Sequence, residues 1–231
     1  TTATSVKTST AVSTVTSTTT AKTYVLRWAD LGVAERPAGY TAKWIGDQIE
    51  KRSNGIIKVE YFWSQTLAKA MEIPSAISGN IAQGGIAIPD YVPDMMPLAT
   101  MGSLMFACPF GREEAHQKAA AAYMSLYQHP AFEAEAKKND HVYFSTLVFP
   151  SALAITKPAV KTLADLKGLR LAASAGETTA LAAVGAAGST LGPPDWVTTI
   201  ERGALDGAVS SPVALYSYSL AEVCRNVTDL G

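Results

Sequence analysis

The second half of the chain repeats one pattern at short intervals. A strand-like "LRLAA" leads to a helical "ETTALAAVGAA", then a short "STL", a helical "DWVTTIERG" and a second strand, "LDGAVS". Alternation at that spacing is met economically only by parallel strands with helical crossovers, so this half predicts a parallel α/β sheet. Asp195 stands where it can cap the helix that begins near Trp196.

The first half carries the same grammar less regularly. "TYVLRWADLG" reads as a strand over 23–29, broken by Gly32 and Pro37. "YTAKWIGDQIEKRSNG" reads as a helix with Tyr40, Trp44, Ile45 and Ile49 on one face, closed by Lys51 and Arg52 and stopped at Gly55. "IIKVEYF" alternates apolar and charged residues, which is a strand period. "AKAMEIPSAISGN" reads as a helix ending at Gly79, and "IAQGGIAI" as the next strand. A helical "REEAHQKAAAAYMSLYQ" precedes "HVYFSTLVF", a β-rich run expected to pass between two sheets. The expected whole is α/β, two-lobed, with a cleft between the lobes.

Before this comes "TTATSVKTSTAVSTVTSTTT", Ser or Thr at most positions with the single charge Lys7. Such a segment cannot bury enough to offset its ordering entropy, so 1–22 is expected to be a disordered tether. The longest uncharged apolar run, "MMPLATMGSLMFACPFG", contains two prolines and falls short of the ~20 residues of a spanning helix. With 19 basic and 20 acidic residues, a net charge of -1 and no basic stripe, a nucleic-acid partner is not expected.

Catalytic patterns are missing. The three histidines, His116, His129 and His141, have no metal-ligand spacing, and there is no G-x-S-x-G elbow. "SAGETT" is shaped like a phosphate loop, but Glu177 stands where that loop has its lysine. What remains is binding chemistry. In parallel α/β sheets ligands gather beyond the carboxyl ends of the strands, here "AASAG", "GPP" and "VSSP". Small residues leave volume there. Ser174, Thr178, Ser210 and Ser211 offer hydroxyls, and the helix start near Glu177 to Thr179 offers N–H groups.

From residue 23 onward the order of motifs resembles the DctP-type substrate-binding proteins of TRAP (tripartite ATP-independent periplasmic) transporters. "SNGIIKVEYFWSQTLAKAMEIPSAISGNIAQGGIA" is similar to the family's first-lobe signature, and "PLATMGSLMFACPFG" to its proline-phenylalanine stretch. "VKTLADLKGLRLAAS" is similar to its D-L-K-G strand, and "GPPDWVTTIERGALDGAVSSP" to its later helix and G-x-x-D-G element. The resemblance implies a type II periplasmic-binding-protein fold, with lobe I over 23–145 and lobe II over 146–231. It implies no enzyme activity and no cofactor or metal. The implied role is an extracytoplasmic receptor, signal peptide removed and with or without a lipid anchor. It would capture a small molecule and deliver it to the membrane permease subunits of a TRAP transporter. The alternative is a sensing domain of the same fold coupled to a signalling partner. The family continues beyond "VCRNVTDLG", so the chain is expected to be a fragment whose first lobe exposes apolar surface.

Family ligands are mostly organic acids, held by an arginine two positions beyond Arg170. Ala172 stands there, and Arg170 is expected on the opposite strand face, no substitute. The ligand is thus expected to be neutral, cationic or apolar, or else a carboxylate held by a residue from elsewhere. Further candidate wall residues are Trp28 and Trp63, whose faces could stack on a ligand, with Glu72, Tyr91 and Phe149. Cys108 would fall in one lobe and Cys224 in or beside the other, where a bridge would restrain closure. Both are therefore expected as free thiols. Non-reducing mass spectrometry that finds them joined would contradict this.

Overall fold

A computed structural model describes residues 22–101, 115–148 and 152–230 of the chain. The expected tether, apart from Lys22, lies outside the described residues, as do Cys108 and Phe149. Strand β1, Tyr24–Ala29, runs parallel to β2, Ile57–Phe62, in the register Tyr24 to Ile57 through Ala29 to Phe62. The β1–β2 crossover is helix α1, Pro37–Arg52, with Pro37 in its first turn, where a missing N–H costs nothing. On the other side of β1 stands β3, reduced to Gly84–Gly85, so the first sheet has the order β2-β1-β3. The rest of the expected strand "IAQGGIAI" makes no ladder.

The buried stripe of α1 is Gly39, Ala42 and Gly46, whereas Tyr40 and Trp44 stand exposed. Ile45 and Ile49 are half-buried beside that stripe, so only part of the apolar face read from the sequence packs. Close approach explains it. A Cβ on Gly46 would coincide with the Tyr61 hydroxyl of β2, which donates to the carbonyl of Ala42 at 3.2 Å. Only a helix with small residues there can lie this near the sheet.

Helix α2, Ile73–Ser78, begins later than the periodicity suggests because Pro74 fits only its first turn. After it come a short turn at Pro89–Tyr91, helix α3 (Pro97–Thr100), α4 (Ala115–Tyr127) and α5 (Pro130–Lys138). The β-rich run does not form the expected strand: residues 141–148 join no sheet. Side chains hold it instead. His141 is buried and its Nε2 donates to the Pro74 carbonyl (2.9 Å), while the Tyr143 hydroxyl donates to Glu135 (3.2 Å). Phe144 meets Trp28 edge to face at 6.2 Å.

The second sheet has the order β6-β5-β7-β4-β8. Its parallel part is β5 (Arg170–Ala172), β6 (Ala187–Ser189) and β7 (Gly207–Ser210), as the alternation predicts. Two further strands, β4 (Leu153–Thr156) and β8 (Asn226–Asp229), were not read from the sequence, and β4 runs antiparallel to both β7 and β8. The helices are α6 (Ala175–Ala183), α7 (Trp196–Glu201), α8 (Pro212–Ser217) and α9 (Leu220–Val223). Asp195 precedes α7, but its side chain makes no cap bond. Both faces of the sheet are covered. Leu153, Ile155, Ala172 and Ala208 pack with Trp196 and Ile200 on one side; Ala154, Leu171, Ala173 and Val209 pack with Leu181 on the other.

Two α/β units thus meet, and Tyr218, just beyond α8, packs against the cores of both. Gly46→Ala should destabilise the protein by ~1–3 kcal/mol through overpacking against Tyr61. A glycine-to-alanine change in an open helix ordinarily gains ~1 kcal/mol, so the sign itself is diagnostic in a urea melt. Adding Tyr61→Phe, which removes the obstructing hydroxyl, should recover part of the loss.

Candidate functional site

Loops from both units converge on a cavity of about 350 Å³. Its apolar lining is Leu31 and Val33 from the loop after β1, with Pro194 and Val197 from around the start of α7. The polar lining is Arg36, Ser64, Ser217, Tyr218 and Ser219. The first unit therefore supplies one wall, and the second supplies the other.

The loops are held in conformations that need outside support. Ser64 and Gln65 both have positive φ (51° and 64°), as does Ser219 (54°), each costing on the order of 1 kcal/mol for a residue other than glycine. Ser64 N–H donates to the Gly32 carbonyl (2.8 Å) and Gln65 N–H to that of Asp30 (3.0 Å). These bonds stitch the loop after β2 to the loop after β1. The Gln65 side chain accepts from Ala70 N–H at 2.7 Å and also bears on Gly192 of the second unit. A Cβ on Gly192 would come within 3.0 Å of Gln65 Oε1.

Arg36 is the N-cap residue of α1, and its side chain makes no cap bond. Its guanidinium lies over the ring of Tyr216 in α8, 3.9 Å from the ring centre, which spans the two units. Among the described residues no carboxylate pairs with it. Ser217 Oγ is buried with no hydrogen-bond partner among the described residues. An orphaned buried hydroxyl is uncommon and costs free energy unless something pairs with it.

Behind the cavity lies a buried polar seam. Asp30 is 1 % exposed, accepting from Gly32 N–H (2.8 Å) and Trp28 Nε1–H (3.2 Å), and burial raises its pKa above the ordinary aspartate value. Burial likewise pushes the phenols of Tyr91 and Tyr218 well above their usual range, so both stay neutral.

Of the ten residues singled out from the sequence, Phe149 lies outside the described residues, and none of the other nine lines this cavity. Trp28 is 5 % exposed, its ring lying over Gly84 and covered by Phe144, so neither face is open for stacking. Trp63 stacks on Tyr61 (5.0 Å) at the outer strand β2. Glu72 is exposed and accepts from Lys69 N–H in a local turn. Tyr91 does stand at the seam between the units, packed in the first core. Ala172 is fully buried among Leu153, Ile155 and Trp196. Arg170 was expected on the other face of the strand; that was an error, since residues two apart share a face. Arg170 is kept away by lying at the start of β5, where it pairs with Asp206 at 3.0 Å.

The hydroxyls of "SAGETT" and "VSSP" are also differently engaged. Ser174 and Glu177 form a reciprocal capping box at α6, and the Thr178 hydroxyl donates to the Ser174 carbonyl (2.8 Å) while packing on Gly188. The N–H groups of Glu177 and Thr178, expected to be open to a ligand, thus find partners inside the turn. Ser210 faces Leu153 in the β7–β4 ladder, and Ser211 is the N-cap residue of α8 with no side-chain cap bond. Sequence reasoning missed Arg36, Ser217 and Ser219. The one available signal was an arginine directly before the helix-starting Pro37.

Burial raises the Glu177 pKa above its ordinary value, with the nearby Asp90 adding to the shift, although the capping bonds oppose it. A raised carboxyl pKa means that ionisation costs stability above the folded-state pKa, and the cost vanishes as pH falls through it. Glu177→Gln keeps a capping side chain without the charge. Its urea midpoint should exceed that of the wild type at pH 8, and the two should converge toward pH 4. A gap that widens on acidification would contradict this account.

Residues 32–229 match the family described as bacterial extracellular solute-binding protein, family 7, DctP. No curated protein sequence matches significantly. Among solved structures, a marine metagenome TRAP solute-binding protein specific for aromatic acids, in complex with 3-hydroxybenzoate, superposes with a TM-score of 0.77 at 20% identity. It covers 89% of this chain and 63% of its own. A Bordetella pertussis extracytoplasmic solute receptor binding pyroglutamic acid gives 0.77 at 20% identity, covering 89% of this chain and 66% of its own. A TRAP periplasmic solute-binding protein from Pseudomonas putida with bound D-glucuronate gives 0.73 at 18%, covering 88% and 66%. The chain therefore spans about two thirds of the length of these structures. With the match running through nearly all of both α/β units, the chain belongs to the DctP family of bacterial extracellular solute-binding proteins.

Proposed function

We propose that this chain is the solute-capturing part of an extracytoplasmic receptor that delivers a small organic acid to the permease subunits of a TRAP transporter. The observation that carries the reading is the cavity walled by loops from both α/β units. A ligand seated there touches both units at once, so its binding free energy favours the arrangement in which they are closed together. Concave, largely apolar sites with a few polar groups, placed between domains, are the usual setting for small ligands. No step of chemistry is involved; the product of binding is a closed receptor for a membrane partner to recognise.

Supporting the choice of an acid, the three structures named above were solved with 3-hydroxybenzoate, pyroglutamic acid and D-glucuronate. The absence of a guanidinium at position 172 had favoured a ligand without a carboxylate. Arg36 in the cavity wall, with no carboxylate partner among the described residues, favours the other branch of that argument, an acid held by a residue from elsewhere. A cavity of about 350 Å³ suits a monocyclic acid rather than a peptide.

A thermal-shift screen against a metabolite panel containing these acids and neutral analogues checks the proposal. A binder at 100 times its dissociation constant stabilises by about 2.7 kcal/mol, a shift of several degrees for a domain of this size. Organic acids should give the largest shifts. A panel in which no small molecule moves the melting point would remove the receptor reading.

A further inference from the structure

We infer that Arg36, from the loop leading into α1, is the group that neutralises the carboxylate of the ligand, and that it does so while stacked on Tyr216 of the opposite unit. The inference rests on the solute-site reading above and names the residue that decides the ligand class.

Strand β5 offers no free cation: Ala172 is fully buried in an apolar cluster and Arg170 is paired with Asp206. Burying an unpaired carboxylate costs several kcal/mol, so a cavity that takes an acid must bring a cation. Arg36 lines the cavity and has no carboxylate partner among the described residues. Its stacking partner leaves the right atoms free. The Arg36 Cζ stands over the Tyr216 ring at 3.9 Å, and a guanidinium held over a ring face is attracted through its charge without using up its N–H donors. Those donors form a fork that matches the two oxygens of a carboxylate. The Ser217 hydroxyl is next to Tyr216 in the chain and lines the same cavity, and supplies a donor that has no acceptor among the described residues.

The geometry also ties recognition to closure. The guanidinium comes from the first unit, while Tyr216 and Ser217 come from the second. A carboxylate held by Arg36 and Ser217 together needs the two units in contact. An amide of the same shape gains the Ser217 contact without the charge pairing.

Calorimetric titration of the full chain tests this with 3-hydroxybenzoate, pyroglutamate and D-glucuronate, each beside its uncharged primary amide. The wild type should prefer one acid over its amide. In Arg36→Gln that acid should weaken by at least about 30-fold, the loss expected when one partner of a desolvated charge pair is removed. The acid-to-amide ratio should fall to near one, while the melting point of the unliganded protein changes little. Arg36→Lys, which keeps charge but not the fork, should keep part of the preference; it reads the same ratio if the glutamine variant does not fold. Ser217→Ala should weaken the acid and its amide alike. An acid that binds Arg36→Gln within about twofold of wild type overturns the inference and leaves the receptor reading standing. Wild-type protein that binds only the amides overturns the acid assignment, and wild-type protein that binds neither set counts against the site itself.

Discussion

Tyr218 is the contact on which the arrangement of this protein turns. Its ring packs edge to face on Trp196 at 5.9 Å within the second core and also lies against the first core, where Tyr91 is buried. An aromatic ring buried on both sides supplies a large apolar area, and the phenol gives it a polar tip that can face a wet cavity. Burial pushes that phenol well above its usual range, so it joins the seam as a neutral group. Lose the contact and the cavity loses a wall, since the loops that form it hang from the two units that Tyr218 joins.

Close backbone approach is the second constraint, and small residues enforce it. Gly46 lets α1 settle on Tyr61, Gly84 lets the Trp28 ring cross β3, and Gly207 lets β7 lie against Thr156 of β4. In each case a Cβ would intrude on a neighbour that cannot move without breaking a sheet or a hydrogen bond. The same economy empties the strand ends of bulk. The small residues of "AASAG" serve packing and the α6 capping box, with Ala172 and Ala173 both at most 1 % exposed. Their smallness read as space for a ligand, but the space is filled by protein.

Much of the fold was legible because local rules fixed it. The parallel β5–β6–β7 core, the C-terminal end of α2 at Gly79 and the alternation of β2 all follow from periodicity and turn residues. Where reading failed, the deciding partner was distant in sequence. Residues 141–148 have strand composition, yet their side chains are taken by Pro74, Glu135 and Trp28, so no ladder forms. The face of α1 failed in part for the same reason: Tyr40 and Trp44 look like core residues, but the closest approach to the sheet is made at Ala42 and Gly46, with Ile45 and Ile49 only half-buried beside them.

By itself the sequence determined the α/β class, the parallel run of β5, β6 and β7 and the family, because these rest on periodicities and motif order that one chain carries along its length. Only the tertiary structure decided which residues face the cavity. Arg36 and Tyr216 are 180 positions apart, and nothing local to either announces the other. Their meeting depends on two sheets, a helix start and a loop held at positive φ all being in place. A binding wall made by two units is a property of how they pack, and packing is decided by shape complementarity between surfaces that the linear order does not bring together.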